Sequence, residues 1–368
     1  MLFRSAHKKF MLTAFAPSLL NLTLIASFAY SYVQSETSVW VLGLAVLLGG
    51  ALQVLILIPT FLQLRIPYAW SVSHIWSEPV RRVLKAFLPS VLGLGIVQIM
   101  ALINTNYASN LQEGAVTFIS LADRLLELPL SLVAVSLGTA ILPSLSEHWS
   151  RQDHEGFAGE LQKNMRALLF LCVPASVGLY MVAPLAVSVL YERGRFSADH
   201  VIVVSSIVKI YSITLVAAAV TRVLSQAYYA KKNTVFPAVA AGLGLVLHLF
   251  LAPQLMITQG LNGLVISTAV AASLNGLLLF TVLIMSKGFL MDWSFISFLV
   301  RCSLASVPMY IVGWWVQQQW PVDHFMMKVV ELILIVGLSG AVYFLGATLM
   351  KLPESESVLK VLRRKLRI

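Results

Sequence analysis

Three ionisable side chains lie close together in a long apolar stretch of this sequence. Asp123, Arg124 and Glu127 fall within the segment 115–146, which holds no other ionisable residue. A charged side chain near the middle of a bilayer costs at least about 2.5 kcal/mol, so charges kept there face a partner or a water-filled cavity. Such groups can bind an ionic substrate, or they can pair with one another and hold helices together.

The spacing of these residues orients their side chains. Asp123 and Glu127 are four residues apart and therefore share one face of a helix, while Arg124 lies about 100° further round the same helix. Pro129 removes a backbone hydrogen bond shortly afterwards. A break of this kind beside charges is typical of membrane helices that line a cavity.

Two further cations, Lys209 and Arg222, lie well inside apolar segments. At the helical rise, Asp123 is about 12 Å and Lys209 about 13 Å from the same membrane surface, so the carboxylates and Lys209 could pair. Arg222 is deeper, about 10 Å from the opposite surface. Three cations against two carboxylates favour a cavity for an anionic substrate. The alternative is a buried ion-pair network that only fixes helix packing.

Composition identifies the class of protein. The chain has 368 residues, of which 58% are hydrophobic and 11% charged, whereas a soluble protein carries about 25% charged residues. Many apolar runs reach the roughly 20 residues that a helix needs to cross a bilayer. We therefore predict an all-α polytopic membrane protein with about ten spans. The predicted spans are 11–33, 38–63, 84–108, 115–146, 162–190, 200–229, 234–254, 259–286, 294–318 and 324–350.

Basic residues set the expected orientation. Most of the 26 lysines and arginines lie at the two ends and in alternate connections, which predicts that both ends are cytoplasmic. This orientation accounts for the formal charge of +10 better than nucleic-acid binding does. The segment 354–368 mixes basic and apolar residues and is predicted to lie as an amphipathic helix on anionic membrane lipids.

The sequence offers no enzyme site. It has no glycine-rich phosphate loop, no histidine pair at metal spacing and no nucleophile motif. We predict a transporter that needs no cofactor and no metal.

Four segments resemble the MurJ (MviN) family of lipid II flippases. The segment 14–21 (AFAPSLLN) resembles the fifth helix of that family. The segments 122–129 (ADRLLELP) and 137–146 (LGTAILPSLS) resemble the eighth helix, and 191–196 (YERGRF) resembles the outer loop after the ninth. The resemblance extends over essentially the whole chain, and the eighth-helix motif is quite specific.

The resemblance implies an architecture. Members of the family have fourteen helices, arranged as two six-helix lobes and a final pair, and the ten helices predicted here resemble helices five to fourteen. The expected domains are 1–64, the last two helices of an incomplete N-terminal lobe; 84–287, a complete C-terminal lobe; 294–350, a two-helix groove for the lipid tail; and 354–368, the basic tail.

The resemblance also implies a function. It predicts flipping of lipid II, the undecaprenyl-pyrophosphate-linked peptidoglycan precursor, across the bacterial cytoplasmic membrane by alternating access, and hence a role in cell-wall biogenesis and cell shape. Arg124 matches a cavity arginine of the eighth helix, Asp123 and Glu127 match the acids beside it, and Arg222 matches a basic position of the tenth. Lys209 joins this set through its depth alone.

One departure from the family pattern bears on activity. The family's other cavity arginines lie in its first two helices, which have no counterpart in this sequence. We therefore expect the polypeptide by itself to be an inactive, incomplete copy and a longer parent to be the flippase. Two alternatives stay open: an exporter of another lipid-linked oligosaccharide or of drugs, and a membrane scaffold that transports nothing.

Overall fold

The computed structural model describes residues 11–34, 38–63, 77–286, 288–319 and 324–356. Within these ranges the chain forms nine long helices and no strand, in agreement with the predicted all-α class. The helices are α1 (Met11–Gln34), α2 (Val39–Gln63), α3 (Glu78–Ser109), α4 (Ala115–Ser150), α5 (His154–Tyr191), α6 (Ala198–Ala230), α7 (Val235–Met285), α8 (Trp293–Gln319) and α9 (Phe325–Leu349).

Helix α7 contains two of the predicted spans. Its backbone is non-helical at Gly260, with φ 56° and ψ −128°, a conformation that residues with a side chain rarely adopt. A Cβ placed on Gly263 would lie 2.1 Å from the carbonyl oxygen of Leu255, so the chain turns back on itself here. The sequence placed this connection at 255–258, two residues before the turn at Gly260.

Six of the helices in the described ranges are long and apolar enough to cross a membrane: α2, with a window at Val39–Pro59, and α5 to α9. Helix α4 has 36 residues, which is more than enough length to cross a membrane. The connection at 64–76 and the tail beyond 356 lie outside the described residues, so the amphipathic tail helix remains a prediction.

The chain divides into two compact units, residues 1–81 and 82–368. In the first, α1 and α2 pack closely against each other at Gly49, where a Cβ would lie 2.6 Å from the hydroxyl oxygen of Thr23. Ala16 and Ala45 are buried in this unit. Small residues at the contact let two membrane helices approach.

The second unit holds two hydrophobic clusters at opposite ends of α4 to α7. One surrounds Leu161, Leu224 and Leu283, and the other surrounds Val204 and Leu264. These side chains are all but inaccessible. The clusters fix how α4 is rotated against its neighbours, and this rotation decides where the charged motif points.

The last two helices pack on α5. Met181 and Val182 of α5 form a small cluster with Val316 of α8 and Ile335 of α9. At the end of α5, the Glu192 carboxylate lies 2.9 Å from the ammonium of Lys328 on α9. Ser188 donates a hydrogen bond to the same carboxylate. This polar contact ties α9 to the end of α5.

We expect this contact to make stability depend on pH. The hydrogen bonds from Ser188 and Lys328 hold the pKa of Glu192 below its usual value. The stabilisation is therefore complete above the unfolded pKa of about 4.3 and is lost as pH falls through the lower, folded pKa. Glu192→Gln should reduce stability by about 1–2 kcal/mol at pH 7 and flatten the acid side of a melting-temperature profile. Glu113→Gln, at an exposed loop position, is the control, and an unchanged profile in Glu192→Gln would contradict the prediction.

Candidate functional site

Helix α4 packs through its apolar residues and turns its charged residues outward. Ala122 and Leu125 are 0% and 3% exposed. Asp123, Arg124 and Glu127, on the remaining faces of the same two turns, are exposed on the surface of the second unit. The charged motif is therefore not part of the packing core, although it lies in the middle of a long membrane helix.

Asp123 lines a cavity of about 360 Å³ between α3, α4, α6 and α7. The Tyr211 hydroxyl of α6 lies close enough to its carboxylate to interact with it. The cavity also contains the amide of Asn104 and the hydroxyl of Thr268, which lie 3.3 Å apart. The lining residues are Val97, Met100, Ala101, Asn104, Thr105, Ala108, Val116, Ile119, Ser120, Asp123, Tyr211 and Thr268.

Arg124 lies about 100° round α4 from Asp123 and does not line this cavity. Its guanidinium is close enough to the Tyr191 hydroxyl, at the end of α5, to interact with it electrostatically. That hydroxyl donates to the carbonyl oxygen of Leu121 at 3.4 Å. Asp123 and Arg124 are thus adjacent in sequence but have different surroundings, as their angular separation on the helix requires.

Lys209 does not pair with the carboxylates. Its ammonium lies 5.7 Å from the centre of the Tyr180 ring on α5. No ion pair within 4.0 Å joins it to Asp123 or Glu127, residues that the structure describes. Lys209 and Tyr211 are two residues apart on α6 and so point to nearly opposite faces. The pairing that their equal depth allowed is not seen between these described residues, because equal depth does not imply a shared face.

Glu127 and Arg222 are both exposed. Within the ranges that the structure covers, neither forms an ion pair, and the same holds for Asp123 and Arg124. The ion-pair network that was the structural alternative for these residues is therefore not seen. The charged side chains remain available to an ionic partner.

Sequence reasoning missed Tyr211, Asn104 and Thr268 as cavity residues. Each is a polar side chain inside an apolar segment. Their positions along the helices could have indicated that they lie at a membrane depth similar to that of Asp123. Only the packing of the helices shows that these three side chains face the same cavity as Asp123.

A model of the family described as "Lipid II flippase MurJ" matches residues 3–334 of this chain. A probable lipid II flippase MurJ from Bdellovibrio bacteriovorus is 40% identical over 75% of this chain and 52% of its own length. The lipid II flippase MurJ of Burkholderia cenocepacia is 33% identical over 75% of this chain and 54% of its own. The chain spans about half the length of these two relatives.

Solved structures agree on the fold. A lipid II flippase MurJ in an inward closed conformation superposes with a TM-score of 0.72 at 23% identity, over 92% of this chain and 69% of that one. An outward-facing multidrug resistance MATE family transporter of the MOP superfamily gives a TM-score of 0.51 at 13% identity, over 77% of this chain and 67% of that one.

Proposed function

Because this chain belongs to the MurJ family of lipid II flippases, we propose that it takes part in moving lipid II across the bacterial cytoplasmic membrane. The proposal concerns the protein that this polypeptide forms or contributes to. It includes alternating access as the mode of transport and an orientation with both ends of the chain cytoplasmic, which the distribution of basic residues supports.

The observation that carries the proposal is the outward charged face of α4. Asp123, Arg124 and Glu127 are exposed in the middle of a membrane helix and lack ion-pair partners in the described part of the chain. Exposure to lipid would cost at least about 2.5 kcal/mol for each charge. A water-filled path that admits an ionic substrate removes this cost, which is why we assign the face to such a path.

A pyrophosphate head group suits this face. The Arg124 guanidinium presents several N–H donors in a fixed plane and can bind two phosphate oxygens at once. Arg222 adds a second exposed cation on α6. Asp123 and Glu127 keep the site from holding the anion too tightly, which a transporter must avoid because its substrate has to leave. Lys209 belongs to the proposed set as a peripheral cation, since its ammonium already contacts the Tyr180 ring.

The test is complementation of a bacterium whose own lipid II flippase is depleted. The gene is expressed with any coding sequence that lies in frame before Met1, and the printed chain is expressed alone in parallel. We expect the first to restore growth and to lower the pool of lipid II that accumulates in the inner leaflet. Failure of both, with protein detected in the membrane, would overturn the proposal.

The same experiment separates the alternatives. Rescue of a strain that lacks an exporter of other lipid-linked oligosaccharides, without rescue of the flippase-depleted strain, would assign a different substrate. If the chain rescued neither strain and every substitution in the charged face only lowered the amount of folded protein, a scaffold would be indicated.

A further inference from the structure

A second cavity, of about 560 Å³, lies at the ends of several helices of the second unit. Trp149, which lines it, follows Asp123 by 26 residues of α4, or about 39 Å along the helix. The cavity is therefore distinct from the charged motif. Its lining residues are Trp149, His154, Phe157, Tyr228, Lys231, Asn233, Val282, Ser286 and Gly288.

Lys231 is the cation of this cavity, and two aromatic rings hold it in place. Its ammonium lies 5.1 Å from the centre of the Trp149 ring and 5.0 Å from that of Phe157. A Cβ placed on Gly288 would come within 2.5 Å of the same nitrogen, so glycine leaves the room that the ammonium occupies. The two rings and Gly288 thus surround the ammonium and define its position.

No anionic partner accompanies this cation. Among the residues that the structure describes, no carboxylate lies within 4.0 Å of the Lys231 ammonium. Burial lowers the pKa of Lys231, because removal from water disfavours the charged form. Each of the two ring contacts stabilises the charged form by only about 0.5–2 kcal/mol. An anion in the cavity would supply the missing counter-charge.

The start of α7 adds to the positive potential. Asn233 lines the cavity, and its side-chain oxygen accepts a hydrogen bond from the backbone of Phe236. Thr234, the residue before the helix, makes no side-chain capping bond. The remaining N–H groups of the first turn keep the partial positive charge of a helix N-terminus beside Lys231.

We propose that this cavity binds the phosphate of an anionic membrane phospholipid, with Lys231 as the cation that recognises it. Three features favour a lipid over a dissolved phosphate. Trp149 belongs to the residue type that marks the membrane interface. The rings of Trp149, Phe157 and Tyr228 make much of the wall apolar, as a glycerol and acyl region requires. Lys231 and Lys232 lie in a connection that the sequence places on the cytoplasmic side, where anionic lipids attract basic groups.

The proposal goes beyond flipping and does not depend on it, so its test uses binding alone. The full chain is purified in detergent, and the dissociation constants of dioleoyl phosphatidylglycerol and dioleoyl phosphatidylcholine are measured by native mass spectrometry. We expect phosphatidylglycerol to bind more tightly. Lys231→Gln should weaken that binding about tenfold and bring it to the level of phosphatidylcholine. Lys232→Gln, which removes an equal charge from the exposed neighbouring position, should leave it unchanged.

Three results would overturn the proposal: equal affinity for the two lipids, equal effects of Lys231→Gln and Lys232→Gln, or displacement of phosphatidylglycerol by millimolar inorganic phosphate. A second measurement needs no substitution and covers the case of a variant that fails to fold. Phosphatidylglycerol with a photoactivatable head group should label the unaltered chain at Trp149, Phe157 or Tyr228. Labelling confined to α8 and α9 would refute the assignment.

Discussion

Arg124→Ala is expected to weaken lipid II binding at least about thirtyfold and to abolish rescue of the flippase-depleted bacterium. The substitution removes the one cation of the outward face of α4, while the neighbouring Ala122 and Leu125 keep their packing. Truncation of one partner of a charge pair that the bound head group desolvates costs about 2–5 kcal/mol, and 2 kcal/mol corresponds to about thirtyfold. The measurement is lipid II binding to purified protein, paired with growth and with the amount of folded protein in the membrane.

Arg151→Ala is the matched control, because it removes an arginine that directly follows the same helix. Arg151 pairs with Glu147 at the surface, and its side chain is 72% exposed. Such pairs contribute about 0–1 kcal/mol, so binding and growth should not change. Arg124→Lys should give an intermediate result, since lysine keeps the charge but loses the planar donor pair. Lys209→Ala should have a smaller effect than Arg124→Ala.

The opposite pattern would exclude Arg124 from binding. If Arg124→Ala bound lipid II as tightly as the unaltered protein but gave less folded material, the residue would act in helix packing instead. Equal losses in Arg124→Ala and Arg151→Ala would indicate a general effect of net charge.

The positions of the helices could be read from the sequence because the bilayer imposes them. A span needs about 20 apolar residues with their backbone groups paired internally, and the described helices follow those runs closely. The predicted spans 234–254 and 259–286 correspond to the two arms of α7, which meet at the turn at Gly260, two residues after the predicted connection at 255–258. The existence of the helices could thus be predicted from composition, whereas the exact position of the turn could not.

Less of the candidate site than of the fold could be predicted from the sequence. The level of Asp123 and Lys209 follows from the rise per residue, which depends on one helix only. The direction in which each side chain points depends on how every helix is rotated against the others. For that reason Lys209 lies at a depth that allows pairing with the carboxylates but contacts Tyr180 instead. Tyr211, the neighbour of Asp123 on α6, could not be predicted from the sequence.

The turn at Gly260 leads to the second large effect, which is on folding. Gly263→Ala is expected to cost at least about 3 kcal/mol and to remove most of the folded protein. Its new Cβ would lie 2.1 Å from the carbonyl oxygen and 2.3 Å from the carbonyl carbon of Leu255. Both are backbone atoms of the preceding arm of α7, so no side-chain rotation can relieve the overlap. A domain with a total stability of about 5–15 kcal/mol can lose its native state through a change of this size.

Gly242→Ala provides the control within the same helix. There the nearest atom to a new Cβ is the terminal carbon of Ile96, at 3.8 Å, which is an ordinary contact. Because alanine favours a helix over glycine by about 1 kcal/mol, this variant should be as stable as the unaltered chain or slightly more so. Thermal unfolding in detergent, followed by size-exclusion chromatography of the folded fraction, measures both. A Gly263→Ala protein that melts within a few degrees of Gly242→Ala would show that the two arms of α7 do not approach as closely as the structure places them.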